Sequence, residues 1–298
     1  RSSLPATASG TNAHAYAAYD WGLLAAIALI WGSSFLFMEI GLRSFAPAAI
    51  TLARIGLGTA TLACFARARV GVEREDWPRL ALLGVVWMAV PLLIFPVAQQ
   101  WTTSSVTGMI NGAMPVFTVL WATYLMRKLP GWRQLLGIGI GFAGMVLIFA
   151  PELEVGGDQL IGALLVVLAV AFYGLAANIS VPLSQKYGSL PVVFRAQLVA
   201  LAVVAPIGIL QLPDSTWSWE SALAMLPLGI LGPGAAFAFM ATLTGRVGGP
   251  RASVALYFLP IVAIVLGVVI LGESVAPIAL AGVLLVMAGA WIASRRES

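Results

Sequence analysis

Three ionisable side chains fall inside long apolar stretches of this chain: Glu39, Arg54 and Arg195. A charge in such a setting marks function by default, because hydrocarbon offers it no solvation. Glu39 can carry a proton or sit as an interfacial carboxylate. Each arginine can contact a substrate, gate a pathway, or snorkel and bind carbonyls at a helix end. Near them lie aromatic and small polar groups able to line a cavity: Trp31, Ser33, Ser34, Trp101 and Tyr173. Proline adds a second kind of chemistry, since inside a helix it leaves the carbonyl four residues back without its partner. Pro115 does this to Asn111, Pro182 to Asn178, and Pro260 to Leu256 beside Tyr257. Pro233, between Gly232 and Gly234, is a fourth candidate hinge. The two asparagines thus offer an amide beside a loosened carbonyl, or serve as glue between helices.

Catalysis has no comparable foothold. The chain has one histidine, His14, and one cysteine, Cys64. Neither a metal site nor a Ser-His nucleophile can be assembled from these. The expectation is a protein that is not an enzyme, with no catalytic residue, no metal and no cofactor.

The elements holding these residues follow from composition. Of 298 residues, 16 are Lys or Arg and 12 Asp or Glu, so 9% are charged while 60% are hydrophobic. Soluble domains carry about 25% charge, and the mean hydropathy of +0.97 requires lipid as the main solvent. A cytosolic enzyme, a disulfide-built secreted domain and a nucleic-acid binder are excluded. The lipid bilayer and a small molecule are the expected partners; a monomer suffices for such a reading, and composition leaves the oligomeric state open.

Charge-poor stretches give the element count. They run 21–38, 44–66 (interrupted by Arg54), 80–126, 134–151, 159–185, 187–213 (interrupted by Arg195), 221–245, 252–272 and 274–294. A spanning helix needs roughly 20 residues, so 80–126 must hold two, divided at the polar run Gln99-Gln100-Trp101-Thr102-Thr103-Ser104-Ser105. The expected total is ten. Residues 1–19, rich in Ala, Ser and Thr, read as a disordered tail, and no basic-then-apolar signal pattern precedes the first span.

Lys and Arg set the orientation. With the amino terminus in the cytoplasm, cytoplasmic segments collect Arg1, Arg67, Arg69, Arg74, Arg79, Arg127, Lys128, Arg133, Lys186, Arg246, Arg251, Arg295 and Arg296. Only Arg43 falls outside, so both termini are placed in the cytoplasm.

The chain also matches itself. Pro115, Lys128, Gly137 and Gly144 align with Pro260, Glu273, Gly282 and Gly289 at one offset of 145. Trp31-Gly32 resembles Tyr173-Gly174, and Arg54 resembles Arg195, at offsets of 142 and 141. Each half, 20–151 and 158–294, then holds five spans, and an odd number makes the second copy enter from the opposite side. Inverted repeats mark many secondary transporters, whose midplane site opens alternately to the two sides. The fold class expected is an all-α membrane protein: ten transmembrane helices built as two five-helix inverted-topology repeats.

Two halves with this order of W-G, Arg and Pro-x12-acid-x8-Gly-x6-Gly resemble the drug/metabolite transporter superfamily, and within it the ten-span EamA-type exporters of bacterial inner membranes. The overall pattern is most similar to the aromatic and neutral amino-acid exporters. One departure stands out: the acidic position is Glu273 in the second half and Lys128 in the first. The resemblance implies alternating-access export of neutral or aromatic amino acids from a multi-pass inner-membrane protein. The alternative is an exporter of drugs or other metabolites by proton antiport. Trp31, Ser34, Trp101, Asn111, Tyr173, Asn178 and Tyr257 are the candidate substrate contacts, with Glu39, Arg54 and Arg195 for coupling or gating.

One apparent motif is set aside. Gly139-Ile-Gly141-Phe-Ala-Gly144 has dinucleotide-fingerprint spacing but lacks the strand and following acid, and its glycines read as a helix-packing face.

The orientation is tested by labelling. Cys64, expected inside the second span, leaves a nearly cysteine-free background. Gly157→Cys should react with impermeant maleimide from outside intact cells and Gly131→Cys should not; the opposite pattern overturns both orientation and repeat.

Overall fold

A computed structural model describes residues 16–127, 131–155, 157–247 and 252–294. The described residues form helices and turns, with no strand among them. The helices are α1 Ala18–Leu42, α2 Pro47–Ala63, α3 Trp77–Leu83, α4 Val90–Ala98, α5 Ser104–Asn111, α6 Met114–Met126, α7 Trp132–Val155, α8 Asp158–Tyr187, α9 Ser189–Leu210, α10 Trp219–Leu226, α11 Ala236–Val247, α12 Leu259–Leu271 and α13 Pro277–Ser294. Two joints are wound as π-helix: Gly84–Ala89 continues α3 into α4, and Pro227–Ala235 continues α10 into α11. A 3₁₀ turn, Ser253–Phe258, leads into α12. Of the expected tail, residues 1–15 and likewise Lys128, Arg251, Arg295 and Arg296 lie outside the described residues; α1 begins within its last part, at Ala18.

Seven described helices are long and apolar enough to cross a membrane, or eight when the pair α5–α6, bent by 40°, counts as one. Two further apolar helices, Pro47–Ala63 and Pro277–Ile292, are shorter than that, so the described residues give fewer than the expected ten. At 1.5 Å per residue, the 17 residues of α2 reach only about 25 Å, short of the roughly 30 Å hydrocarbon core. The break inside 80–126 falls where the polar run is: α4 ends at Ala98, and Thr103 starts α5 by accepting the Val106 amide with its hydroxyl. Cys64 departs from expectation. It caps the end of α2 and is exposed, so Cys64→Ser is the proper background for labelling.

Several prolines begin helices instead of kinking them. Pro47, Pro78, Pro115 and Pro260 occupy first-turn positions, where the missing N–H would have no intrahelical partner in any case.

Polar contacts concentrate at two opposite rims. At one, Lys186 bridges Glu73 at 2.6 Å and Asp76 at 2.8 Å, while Arg246 meets the fully buried Asp20 at 2.5 Å. At the other, Arg43 pairs with Glu220 at 2.6 Å, and Gln211 Oε1 accepts the Ala48 amide. Between them lies a core centred on Phe95, Met109, Ile110, Val166 and Val170.

The repeat glycines meet one another. A Cβ on Gly144 of α7 would stand 2.5 Å from the Gly282 carbonyl of α13, and one on Gly282 would stand 2.6 Å from the Gly144 carbonyl. One on Gly289 would come 2.5 Å from the Gly137 carbonyl. Only backbone fits between these helices, the small-residue packing that membranes favour. Gly139 faces open space. Gly144→Val should therefore lose about 1–3 kcal/mol through overpacking, read as a lower unfolding temperature in detergent, whereas Gly139→Ala should unfold like the parent.

Candidate functional site

The helices enclose a cavity of about 380 Å³, within the range of small-molecule sites. Its deep end is formed by Phe35, Arg54, Phe95 and Asn111, and it runs to the rim of Ser184, Ser189 and Thr244. That rim is the Lys186 and Arg246 end of the bundle, carrying the carboxyl ends of α8 and α11 and the start of α9.

Six aromatic rings stand on its wall: Trp31, Phe35, Trp87, Phe95, Tyr173 and Phe237. Phe237 takes Trp31 edge-on at 5.3 Å and Trp87 at 5.2 Å. On the other side Phe95 packs with Phe35 at 5.8 Å and Tyr173 at 5.5 Å. Such offset and edge contacts hold ring orientation beyond what burial alone does.

The irregular joints position this wall. A π-helical turn leaves carbonyls away from the regular ladder, and side chains from other helices take them up. Trp31 Nε1 donates to the Gly232 carbonyl at 3.2 Å. Gln197 Nε2 donates to the Pro233 carbonyl at 2.7 Å, and Gln197 Oε1 accepts from Thr59 at 3.3 Å. Gly232 and Pro233 thereby become cavity wall, pinned from α1 and α9.

The candidate residues separate into two groups. Trp31, Ser34, Arg54, Asn111, Tyr173 and Pro233 line the one cavity. Trp101, Asn178, Tyr257, Glu39, Arg195, Pro115, Pro182 and Pro260 are not on its wall. Trp101 lies in the turn between α4 and α5 and is exposed. Asn178 acts between helices, its Nδ2 donating to the Thr118 and Gly174 carbonyls at 2.9 Å each. Glu39 accepts a 3.4 Å bond from Gln99, which also donates to the Phe35 carbonyl. Pro182 stays within a continuous α8 and is exposed.

Arg195 is satisfied by backbone. Its Nη1 donates to the Ala68 carbonyl at 2.9 Å and the Pro191 carbonyl at 3.3 Å, and its Nη2 to the Arg69 carbonyl at 3.3 Å. Glu273 also acts structurally: its two oxygens accept the Ser104 and Ser105 amides at 2.9 Å, and the Ser105 hydroxyl donates as well. A carboxylate there meets the free amides and positive end of α5.

Sequence reasoning passed over Trp87, Phe237 and Gln197. Gln197 carried a readable signal, a lone amide two residues after Arg195 in an apolar helix. Trp87 and Phe237 carried none, since a ring in a lipid-dissolved helix looks the same whichever way it faces.

Comparison with known proteins gives three findings. The family described as the EamA-like transporter family matches residues 20–150 and 160–295. A probable terminal-alkyne amino-acid exporter of Streptantibioticus cattleyicolor is 26% identical over 93% of each chain, and the uncharacterized inner membrane transporter YedA of Escherichia coli K12 is 25% identical over 87% of this chain and 85% of its own. A crystal structure with 18% identity shares the fold, with a TM-score of 0.63 over 93% of this chain and 97% of that one.

Gln197→Leu should leave the buried Pro233 carbonyl unpaired, at about 1–3 kcal/mol. Thermal unfolding in detergent checks this; a variant as stable as the parent would show that Gln197 does not hold the joint.

Proposed function

The chain belongs to the EamA-like transporter family, and from that premise we propose that it exports neutral and aromatic amino acids across a bacterial inner membrane by alternating access. That it is a multi-pass membrane transporter follows from the family and its apolar helices. The observation that carries the narrower reading is the cavity with six rings on its wall, lined from Arg54 and Phe95 within their helices to Ser184, Ser189 and Thr244 near helix ends. A relative described as a probable amino-acid exporter supports the same cargo class.

Alternating access needs two halves that exchange roles. In this reading the short helices α2 and α13 also cross, completing ten spans, and the halves are inverted repeats. Irregular geometry recurring at the offset of 145 supports it: the π joint Gly84–Ala89 falls on Pro227–Ala235, and the α5–α6 bend falls on the passage from Ser253–Phe258 into α12. Each half then has two irregular spans in the same places. By the Lys and Arg bias, the rim at which the cavity ends is the cytoplasmic one, and the molecule is inward-facing. The opposite rim is shut by Glu273 on α5, Arg43 on Glu220, and the Thr216 amide on the Ser44 carbonyl at 2.8 Å.

Glu39 bears on energy coupling. It sits with Gln99 away from the cavity wall, which favours facilitated movement over proton antiport. A zwitterion carries no net charge, so the membrane potential does no net work on its passage, while a cation is held inside by about 2.3 kcal/mol per 100 mV.

Counterflow in liposomes tests the reading. Unlabelled neutral or aromatic amino acid inside should drive uptake of the labelled form without a pH gradient, and Glu39→Gln should behave as the parent. Asn111→Ala and Tyr173→Ala should weaken exchange by about tenfold while folding normally, Trp31→Ala should weaken exchange and also lose stability by freeing the Gly232 carbonyl, and Asn178→Ala should act mainly on stability. Transport that vanished on collapse of a pH gradient and in Glu39→Gln would establish antiport instead.

A further inference from the structure

Arg54 and Arg195 hold matching places in the two halves, yet their surroundings differ in kind. Arg195 donates hydrogen bonds to three backbone carbonyls and stays off the cavity wall. Arg54 is on that wall at 8% exposure. Among the described residues its one hydrogen-bond contact is Met38 Sδ at 3.5 Å, and its Nε has no partner. A thioether is a weak acceptor, and a guanidinium keeps its charge in proteins. Burying such a charge unpaired is strongly unfavourable. No carboxylate among the described residues pairs with Arg54, and none lines the cavity. Water in the open cavity can solvate it, and any counter-charge has to come from what enters the cavity.

The rest of the wall narrows its chemistry. Asn111 lies on the wall too, but its Oδ1 is buried without accessible surface and meets no ligand there. Tyr173 lies within electrostatic reach of Arg54. The wall has one cation, so it balances a single negative charge; a phosphate dianion would leave one charge uncompensated. A planar, singly charged carboxylate matches the guanidinium fork.

We propose that Arg54 is the cargo-recognition residue of this cavity and binds a carboxylate. The inference rests on the cavity being the transport site proposed above. It assigns the cargo to compounds bearing a free carboxylate, and it sets cationic amines apart as ligands that meet a like charge and no counter-ion.

The test is binding, read apart from transport. The full chain in detergent is titrated with L-phenylalanine, 3-phenylpropanoate, phenethylamine and L-phenylalanine methyl ester, followed by the fluorescence of Trp31 and Trp87 in the cavity. L-phenylalanine should bind about tenfold to a hundredfold more tightly than the amine and the ester, the range for losing a hydrogen-bonded charge partner. In Arg54→Gln that preference should disappear, and Arg54→Lys should fall between, keeping charge without the fork. Equal binding of phenethylamine and L-phenylalanine overturns the proposal, as does absence of binding by either carboxylate, or a preference that survives in folded Arg54→Gln. Should Arg54→Gln not fold, the parent panel and Arg54→Lys decide. If liposomes exchange no amino acid while carboxylates bind through Arg54, the amino-acid reading falls and this one stands for another carboxylate cargo.

Discussion

Every backbone amide and carbonyl of a chain dissolved in lipid has to be satisfied from within. Regular helix does this locally, and then nothing in the backbone links one helix to another. This bundle departs from regular helix at its π joints, its bent span and its helix ends, and there the obligation passes to side chains far away in sequence. Trp31 and Gln197 take the carbonyls of Gly232 and Pro233. Arg195 takes those of Ala68 and Arg69, while Trp121 and Asn178 add second bonds to the carbonyls of Ala171 and Thr118 within regular helix. Glu273 takes the amides that open α5. Each bond joins elements that apolar contact alone would leave free to slide, since lipid tails compete with every leucine.

The same constraint accounts for the placing of the cavity. A joint that can bend must keep its unpaired groups on protein or water, never on lipid, so bendable spans line an interior space. Both π joints send residues to the wall, Trp87 and Met88 from one and Gly232 and Pro233 from the other. Around them α7 and α13 pack backbone to backbone through Gly144, Gly282 and Gly289. The peripheral pair is thus close-packed and the central spans are irregular.

What the sequence made legible divides along these lines. The glycine faces could be read because a missing side chain has one use in a membrane helix, close approach. The break between α4 and α5 could be read because a polar run has no place in hydrocarbon. Trp31, Asn111 and Tyr173 could be brought to one list by type, but nothing in type told Asn111, whose amide oxygen is left free, from Asn178, whose amide is spent on two carbonyls. Arg54 and Arg195 were equivalent on paper. They differ because Arg195 finds the carbonyls of the turn Ala66–Arg69 beside it, whereas Arg54 points where no backbone is free. The prolines misled in a consistent way: Pro115 and Pro260 mark where a helix restarts, which spacing cannot tell from a kink inside one.

The unpaired arginine bears on how a carrier avoids leaking. While the cavity is open, water can solvate Arg54, and the charge costs little. Closing the open rim around an empty cavity would strip that water and leave the guanidinium with Met38 alone, the situation in which buried charge is most unfavourable. Closing it around a bound carboxylate removes a neutral pair whose members hydrogen-bond each other. Occlusion is then easier for the loaded protein than for the empty one, and loading is coupled to movement without any titrating group. A carrier built this way exchanges one cargo molecule for another more readily than it returns empty, and its selectivity and its coupling come from the same side chain.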